Sequence, residues 1–258
     1  MRVVILIRLS PAQVYFSNEI VKKKDVVGVI VESLAANRFG VFIRKIKKHM
    51  QKWSILGLIT LPIKIIDLAL IQLRSSYFYK AQKEFLFGKG RYGLNKSVPH
   101  YKVKNINDKK TKSILKKLKP DLIVVFGTSI IKSPVIMIPK KGILNLHSGI
   151  VPLYRGSRSE FWALYNKDLK NVGSSVFLIN EGLDTGDVLL KKRINVTKED
   201  NELTLRCKNV VEGTKSMINA ISMVEKGKIR REKQKDAGKS YSTPSMLDYL
   251  QLWLRGKR

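Results

Sequence analysis

The sequence predicts an α/β protein built around a mostly parallel β-sheet. Runs of almost entirely β-branched and leucine residues, such as 2–7 and 26–31, have the length of strands that are buried on both faces. A helical segment at 11–22 separates these two runs, which is the spacing of a strand–helix–strand unit. A chain of 258 residues with 44% hydrophobic residues is long enough to bury a substantial core.

The later elements continue this alternation. Pro120 ends a basic helix, because proline cannot continue one, and a buried strand follows it. The pattern predicts one domain over 1–226 and a basic C-terminal extension over 227–258 with one short apolar piece. Strands are predicted at 121–126, 142–146, 172–179 and 188–194, and helices at 107–119, 158–165 and 202–226.

Residues of about 35–100 interrupt the alternation and predict a helical insertion. Its segment 53–73 is the most apolar stretch of the chain, but Pro62, Lys64 and Asp67 lie within it. Since a transmembrane helix needs about 20 mostly apolar residues, a helix packed on the domain is favoured over a membrane span. A helix lying on an anionic membrane surface stays open as an alternative.

One glycine-rich run matches a nucleotide-binding motif by its letters alone. Gly88–Gly93 reads G-x-G-x-x-G, which binds a dinucleotide only where a strand precedes it and a helix begins on it. Residues 95–99 are poor helix formers. We therefore expect a loop here.

The net charge of +30 favours polyanionic partners, which are nucleic acid, an anionic membrane or a phosphorylated substrate. A solvated lysine-rich surface is the alternative reading. The single cysteine, Cys207, excludes an internal disulfide and indicates a reducing compartment. The N-terminal apolar run, 3–7, is too short for a signal peptide, so we expect a cytoplasmic protein, with peripheral membrane contact left open.

Three polar residues form the candidate site. Asn145 and His147 lie two apart on a predicted strand and therefore share a face. Asp184 lies in a glycine-flanked loop after a later strand, and we expect it at the same edge of the sheet. Asn145 and His147 could stabilise an oxyanion, and Asp184 could fix the imidazole tautomer, which suits attack of an amine on a carbonyl.

Each of these residues also has a plain structural reading. An isolated Asn-x-His is more often a turn than a catalyst, and an isolated Asp beside glycine is more often an Asx-turn or a helix cap. A metal site at His147 and Asp184 lacks a third ligand with suitable spacing, so we expect none.

Three motifs in this order resemble the 10-formyltetrahydrofolate-dependent formyltransferase family. They are Asn145-Leu146-His147, Pro152–Gly156 and Glu181–Asp187, and the close resemblance covers about 120–195. This family includes methionyl-tRNA formyltransferase, phosphoribosylglycinamide formyltransferase and sugar N-formyltransferases. The motifs together are specific, whereas each alone is not.

The resemblance implies a Rossmann-like sheet and 10-formyltetrahydrofolate as the formyl donor. It implies that the acceptor amine attacks the formyl carbon directly, with Asn145, His147 and Asp184 as the catalytic residues. It places the folate pterin between two segments and the acceptor beside a third. The expected folate residues are Phe126, Gly127, Thr128, Ser129, Ile130 and Ile131 with Asn180, Glu181, Gly182 and Leu183, and the expected acceptor residues are Tyr154, Arg155 and Gly156.

Departures from the family pattern bear on the acceptor. Gly149 stands where the family often has serine, which resembles the sugar N-formyltransferase branch. The first turn, 8–11, has no glycine-rich phosphate cradle, and the stretch after Lys226 is short for a tRNA-binding barrel. We therefore expect a nucleotide-linked amino sugar as acceptor. The alternatives are methionyl-tRNA, phosphoribosylglycinamide, and a non-catalytic member that binds membrane or nucleic acid; the oligomeric state stays open.

Overall fold

The computed structural model describes residues 1–33, 61–234 and 238–255. Its strands are β1 (Val3–Ile7), β2 (Val26–Glu32), β3 (His100–Val103), β4 (Leu122–Phe126), β5 (Ile143–His147), β6 (Arg155–Gly156), β7 (Gly173–Leu178), β8 (Val188–Arg193) and β9 (Ser240–Tyr241). Its helices are α1 (Pro11–Val21), α2 (Leu61–Phe87), α3 (Lys109–Leu118), α4 (Ser133–Ile136), α5 (Ser159–Tyr165), α6 (Glu202–Glu225) and α7 (Met246–Leu254), with a 3₁₀ turn at Leu169–Asn171.

The described strands form one large sheet in the order β3-β2-β1-β4-β5-β7-β8. The first five are parallel, and β7 and β8 run antiparallel to their neighbours. The predicted mostly parallel α/β sheet is therefore confirmed. Of the strands in this sheet, β3 at the edge was not predicted, because an alternation over only four residues is too short to indicate a strand.

The sheet changes its winding direction between β1 and β4. From β1 the chain proceeds to β2 and β3 on one side, whereas β4 and β5 lie on the other side. In such open parallel sheets the carboxyl ends of the two central strands leave a crevice between the loops that follow them. The functional site is expected in this crevice.

Helices cover both faces of the sheet and separate two apolar layers. On one face, α1 and α6 pack over Leu144 and Leu146 in the larger core cluster. On the other face, α3 and α4 pack over Ile143 and its neighbours. Because successive side chains of β5 alternate between these layers, Asn145 and His147 share the face of Ile143.

The described part of the predicted insertion is the long helix α2. Residues 35–60 of that prediction lie outside the described residues. Helix α2 packs against α1, α6 and α7 and buries Leu68 and Phe78. Gly88 follows it in the left-handed conformation (φ 53°), so the glycine-rich run comes after a helix instead of a strand. In the part of the chain that is described, no helix is long and apolar enough to cross a bilayer; membrane-surface contact stays a prediction.

The described residues of the C-terminal stretch return to the domain at three places. Glu232 bridges to Val188 at the end of the main sheet. Strand β9 pairs with β6 in a small parallel sheet, and α7 lies against α2. The predicted domain boundary at 226 stays a prediction, but this stretch supplies residues to the site described next.

Candidate active site

A cleft of about 590 Å³ opens at the carboxyl ends of β1, β4 and β5. The loop after β4, residues 127–132, forms one wall, and we name it the first loop. The loop after β7, residues 179–187, forms a second wall, and we name it the second loop. The cleft is lined by Asn145, His147 and Asp184 together, so the three predicted catalytic side chains share one cavity.

The main chain of Tyr154 orients the His147 imidazole. Nε2 of His147 lies 2.7 Å from the Tyr154 carbonyl oxygen. Since a carbonyl can only accept, Nε2 is assigned as the protonated nitrogen, and Nδ1 is left facing Asp184. The sequence analysis gave the tautomer-fixing role to Asp184. In the structure Nδ1 lies 3.8 Å from Asp184 Oδ2, which is beyond hydrogen-bond distance. The Tyr154 carbonyl is therefore the closer partner of the imidazole ring.

Asp184 reaches the cleft by a different route from the one expected. We expected its loop at the same sheet edge as the end of β5. Because β7 runs antiparallel to β5, the second loop instead leaves beside the start of β5, where the Ile179 N–H donates to the Ile143 carbonyl over 2.8 Å. The loop then folds back along the sheet and carries Asp184 to His147.

Asp184 is held at the tip of the second loop by contacts from two distant segments. It has a left-handed backbone (φ 53°), which aspartate tolerates better than most residues. The Gly156 N–H donates to its Oδ2 over 3.1 Å. From the C-terminal stretch, Gln234 Nε2 donates to the carbonyl oxygens of Asp184 (3.0 Å) and Gly186 (2.7 Å).

Gly149 leaves the space in which the His147 contact forms. A Cβ at this position would lie 2.7 Å from His147 Nε2 and 2.6 Å from Ser159 Oγ, and it would also clash with the Tyr154 carbonyl. A serine, which the sequence analysis noted as frequent in the family, would require the imidazole or its carbonyl partner to move. The absence of a side chain at Gly149 therefore allows the observed hydrogen bond between His147 and the Tyr154 carbonyl.

A buried carboxylate anchors the first loop. Glu32, at the end of β2, accepts from the backbone N–H groups of Ser129 (2.8 Å) and Ile106 (3.0 Å) and from Arg8 Nε (2.9 Å). Burial alone would raise the pKa of Glu32, but these hydrogen bonds and the Arg8 charge hold its pKa below the ordinary value. Glu32 is therefore ionised at neutral pH and fixes the loop at Ser129.

Two further side chains complete this anchor. Arg8 donates to Ser129 Oγ over 2.6 Å. Asn107 donates to the Ile130 carbonyl and accepts from the Lys132 N–H, at 2.9 Å and 2.8 Å. The sequence analysis missed these residues. A single acidic residue at the end of the apolar strand Val26–Glu32 was the available signal for Glu32.

All but one of the predicted folate residues line the cleft. Glu181 is exposed and does not line it. Ile130 and Leu183 present large apolar side chains that are 65% and 51% exposed, one on each loop. The predicted folate residues that line the cleft are Phe126, Gly127, Thr128, Ser129, Ile130, Ile131, Asn180, Gly182 and Leu183.

Of the three predicted acceptor residues, one lines the cleft. Gly156 lines the cleft, whereas Tyr154 and Arg155 do not, and both of these side chains are buried. The Tyr154 hydroxyl donates to Asp168 over 3.0 Å, its ring stacks on Tyr241, and burial raises its pKa to about 12. These two side chains shape the loop instead of meeting a ligand in the cleft.

The cleft also contains charged residues that the sequence analysis did not select. Arg158 and Arg206 line it beside the buried Glu160. Arg158 follows the predicted acceptor loop by two positions, whereas nothing in the helical pattern of 202–226 distinguished Arg206. Among the described residues, no group of three histidine, cysteine or acidic side chains could hold a metal ion.

Fold and cleft together define an open α/β protein with a polar cleft at the switch point of its sheet. The chain belongs to the formyl transferase family, whose model matches residues 29–221. This match confirms the family resemblance of the three motifs.

Relatives and solved structures agree with this membership. The methionyl-tRNA formyltransferase of Clostridium beijerinckii is 37% identical over 145 residues, which are 55% of this chain and 46% of that protein. The chain thus spans about half the length of the curated relatives it matches. A sugar N-formyltransferase from Shewanella sp FDAARGOS_354 superimposes with a TM-score of 0.59 at 14% identity, covering 98% of this chain and 86% of that one.

A third comparison is with an N-formyltransferase from Helicobacter canadensis in complex with folinic acid and dTDP-3-aminofucose. It has a TM-score of 0.54 at 15% identity and covers 94% of this chain and 71% of that one. At such low identities the two structural likenesses show the fold alone.

Proposed function

We propose that this chain transfers a formyl group from 10-formyltetrahydrofolate to an amine by direct attack. The observation that carries the proposal is the placement of Asn145, His147 and Asp184 in one cleft between the first and second loops. The exposed apolar side chains Ile130 and Leu183 are suited to contact a flat heterocycle such as a pterin. The Helicobacter relative with folinic acid bound supports a folate in a protein of this fold.

In the proposed reaction the acceptor nitrogen bonds to the formyl carbon, and the carbonyl oxygen becomes an oxyanion. The Asn145 amide N–H is the side-chain donor available to that oxygen, whereas Nδ1 of His147, which carries no proton in the assigned tautomer, is the base available to the amine. Nδ1 takes the amine's surplus proton, the Asp184 carboxylate balances the positive charge on the resulting imidazolium, and the ring passes the same proton on to the departing N10. Collapse of the adduct breaks the bond to folate N10, which leaves protonated as tetrahydrofolate.

The acceptor we propose is a nucleotide-linked amino sugar. Two arginines, Arg158 and Arg206, line the cleft, which suits an acceptor that carries phosphate. Structural neighbours of this fold include sugar N-formyltransferases. Gly149 agrees with the sugar branch, as the sequence analysis noted.

Mass spectrometry of reactions with 10-formyltetrahydrofolate and a panel of nucleotide-linked amino sugars tests this proposal. One panel member should gain a single formyl group, with tetrahydrofolate released in equal amount. Failure of the purified protein to bind any reduced folate, measured by thermal shift, would contradict the proposal, because a bound ligand must stabilise the folded state.

Methionyl-tRNA is the second candidate acceptor. The curated relatives at 32–40% identity are methionyl-tRNA formyltransferases, and the net charge of +30 would attract a polyanion. Binding of tRNA through many phosphate contacts weakens steeply with salt, because counterions are released. Formylation of methionyl-tRNA at a higher kcat/KM than any amino sugar would favour this candidate, and tRNA affinity that barely changes with salt would count against it.

A further inference from the structure

The part of the cleft beyond Gly156 carries an excess of positive charge. Arg158 and Arg206 both line it, and each is half-buried. The hydroxyl-bearing residues Ser157, Ser240 and Thr243 line the same cavity. This end of the cleft therefore combines hydrogen-bond donors with two guanidinium groups.

The described carboxylates leave this charge incompletely balanced. Glu202 is shared, since it receives Arg74 at 2.6 Å and Arg158 at 3.4 Å. Glu160 accepts from the Asn209 side chain over 2.9 Å. Within the described part of the chain, the Arg206 side chain has neither a hydrogen bond nor an ion pair. Three guanidinium groups thus face two carboxylates, and Arg206 is the one left over.

The backbone of Arg158 adopts a conformation that is unfavourable for a non-glycine residue. Arg158 has a left-handed conformation (φ 58°) immediately before α5, which non-glycine residues seldom adopt. Its guanidinium lies 5.2 Å from the Phe78 ring centroid. Burial and the nearby Arg206 charge lower its pKa, although Glu202 opposes this effect. Two like charges that line one cavity are stabilised by an anion.

We propose that Arg158 and Arg206 bind a phosphate group of the acceptor. This inference rests on the proposed function and assigns the phosphate-binding residues of its acceptor site. Guanidinium groups present paired N–H donors that match phosphate oxygens, and the pairing is stronger where water is partly excluded. Such a subsite would select acceptors that carry a phosphate or diphosphate, and it would position the amine towards His147.

Calorimetric titration of the full chain with inorganic pyrophosphate, at about 0.15 M ionic strength to screen the general surface charge, tests the subsite. Arg206→Gln should weaken pyrophosphate binding by about tenfold or more, because a charge-assisted hydrogen bond contributes about 1.5–3 kcal/mol. Arg206→Lys should lose less. Arg230→Gln is the matched control, since it removes the same charge from an exposed position on the C-terminal stretch and should leave the affinity within about twofold.

Equal weakening by Arg206→Gln and Arg230→Gln would overturn the subsite, because it would mean that pyrophosphate responds only to total charge. Absence of pyrophosphate binding to the unmodified chain would overturn it as well. If Arg206→Gln does not fold, Arg158→Lys serves in its place, because it keeps the charge beside Glu202 but lacks the planar fork.

Folinic acid titrations of the same proteins separate this inference from the proposed function. Unchanged folinic acid affinity in Arg206→Gln, together with weaker pyrophosphate binding, supports both. Folinic acid binding without pyrophosphate binding overturns the subsite alone. Absence of folinic acid binding contradicts the proposed function, and the contrast between Arg206→Gln and Arg230→Gln then still decides the subsite.

Discussion

The two loops that flank His147 are held in place by different means. The first loop is anchored at Ser129 by the buried, ionised Glu32. The second loop bends back from the other edge of the sheet and is fixed at Asp184 by Gly156 and by Gln234 from the C-terminal stretch. One loop is thus held by the neighbouring strand ends of the sheet, and the other by a segment about 50 residues away in sequence.

Because the two loops are anchored differently, we expect the contacts of the first loop to affect mainly stability and those of the second loop to affect mainly the rate. A buried carboxylate that receives three hydrogen bonds contributes to the folding free energy, so damage to it should lower stability first. The contacts of the second loop are half-exposed and contribute little to stability. They determine instead where Asp184 lies relative to His147, so damage there should lower the rate first.

Asp184→Asn tests the second loop and should give the largest effect of these substitutions. Asparagine tolerates the left-handed backbone and can still accept from the Gly156 N–H, so the loop should keep its course while the charge is lost. We expect kcat to fall by about 100-fold or more. Steady-state kinetics at saturating donor measure this loss, and folinic acid affinity should be nearly unchanged. A kcat within a few fold of the unmodified protein would remove Asp184 from the mechanism.

Glu32→Gln tests the first loop through stability. The new amide would turn an N–H₂ group towards a backbone N–H and leave Arg8 without its carboxylate, so the free energy of unfolding at pH 7 should fall by about 1–3 kcal/mol. Because the folded-state pKa of Glu32 is lowered, its contribution is present at neutral pH and is lost as the pH falls through that pKa.

Urea unfolding measured at several pH values from about 7 down to 3 checks both the size and the sign of this effect. The difference between the Glu32→Gln variant and the unmodified chain should shrink at the acid end. A difference that stays constant or grows towards acid would show that Glu32 is not an ionised anchor.

Gln234→Ala should give the smallest effect and the sharpest contrast between the loops. It removes the donor to the carbonyls of Asp184 and Gly186. We expect kcat to fall by about threefold to tenfold, while the melting temperature shifts by no more than about 2–4 °C. Paired kinetic and thermal-unfolding measurements decide the outcome. A large loss of stability with an unchanged kcat would reverse the roles assigned to the two loops.

The sequence was informative where local periodicity decides the structure. The alternation of β5 placed Asn145 and His147 on one face, and the buried runs predicted six of the seven described strands of the sheet with bounds that differ from the observed ones by no more than one residue at either end. The convergence of Asp184 was also expected. The expected course of its loop was wrong, because a run of buried residues such as 172–179 does not reveal whether the strand runs parallel or antiparallel to its neighbour.

Other site features depend on long-range contacts that periodicity does not report. Gln234 and the short strand Ser240–Tyr241 lie in a stretch that the sequence analysis treated as a basic extension. The strand pairs with Arg155–Gly156, and Gln234 forms side-chain hydrogen bonds to Arg155 and to the second loop, all far away in sequence. Tyr154 and Arg155, which were expected beside the acceptor, are buried, and the Tyr154 ring stacks on Tyr241 of this strand.

The most direct test of the account is the rate of formyl transfer by His147→Ala in a single turnover, with donor and acceptor saturating. The imidazole edge at Nδ1 is the proposed path for the proton, so the rate should fall by about 10²–10⁴-fold. Folinic acid affinity, measured on the same preparation, should change by less than about threefold, since the folate contacts are assigned to the two loops. A His147→Ala rate within about tenfold of the unmodified protein, at full folate occupancy, would contradict the central claim that His147 takes part in the transfer.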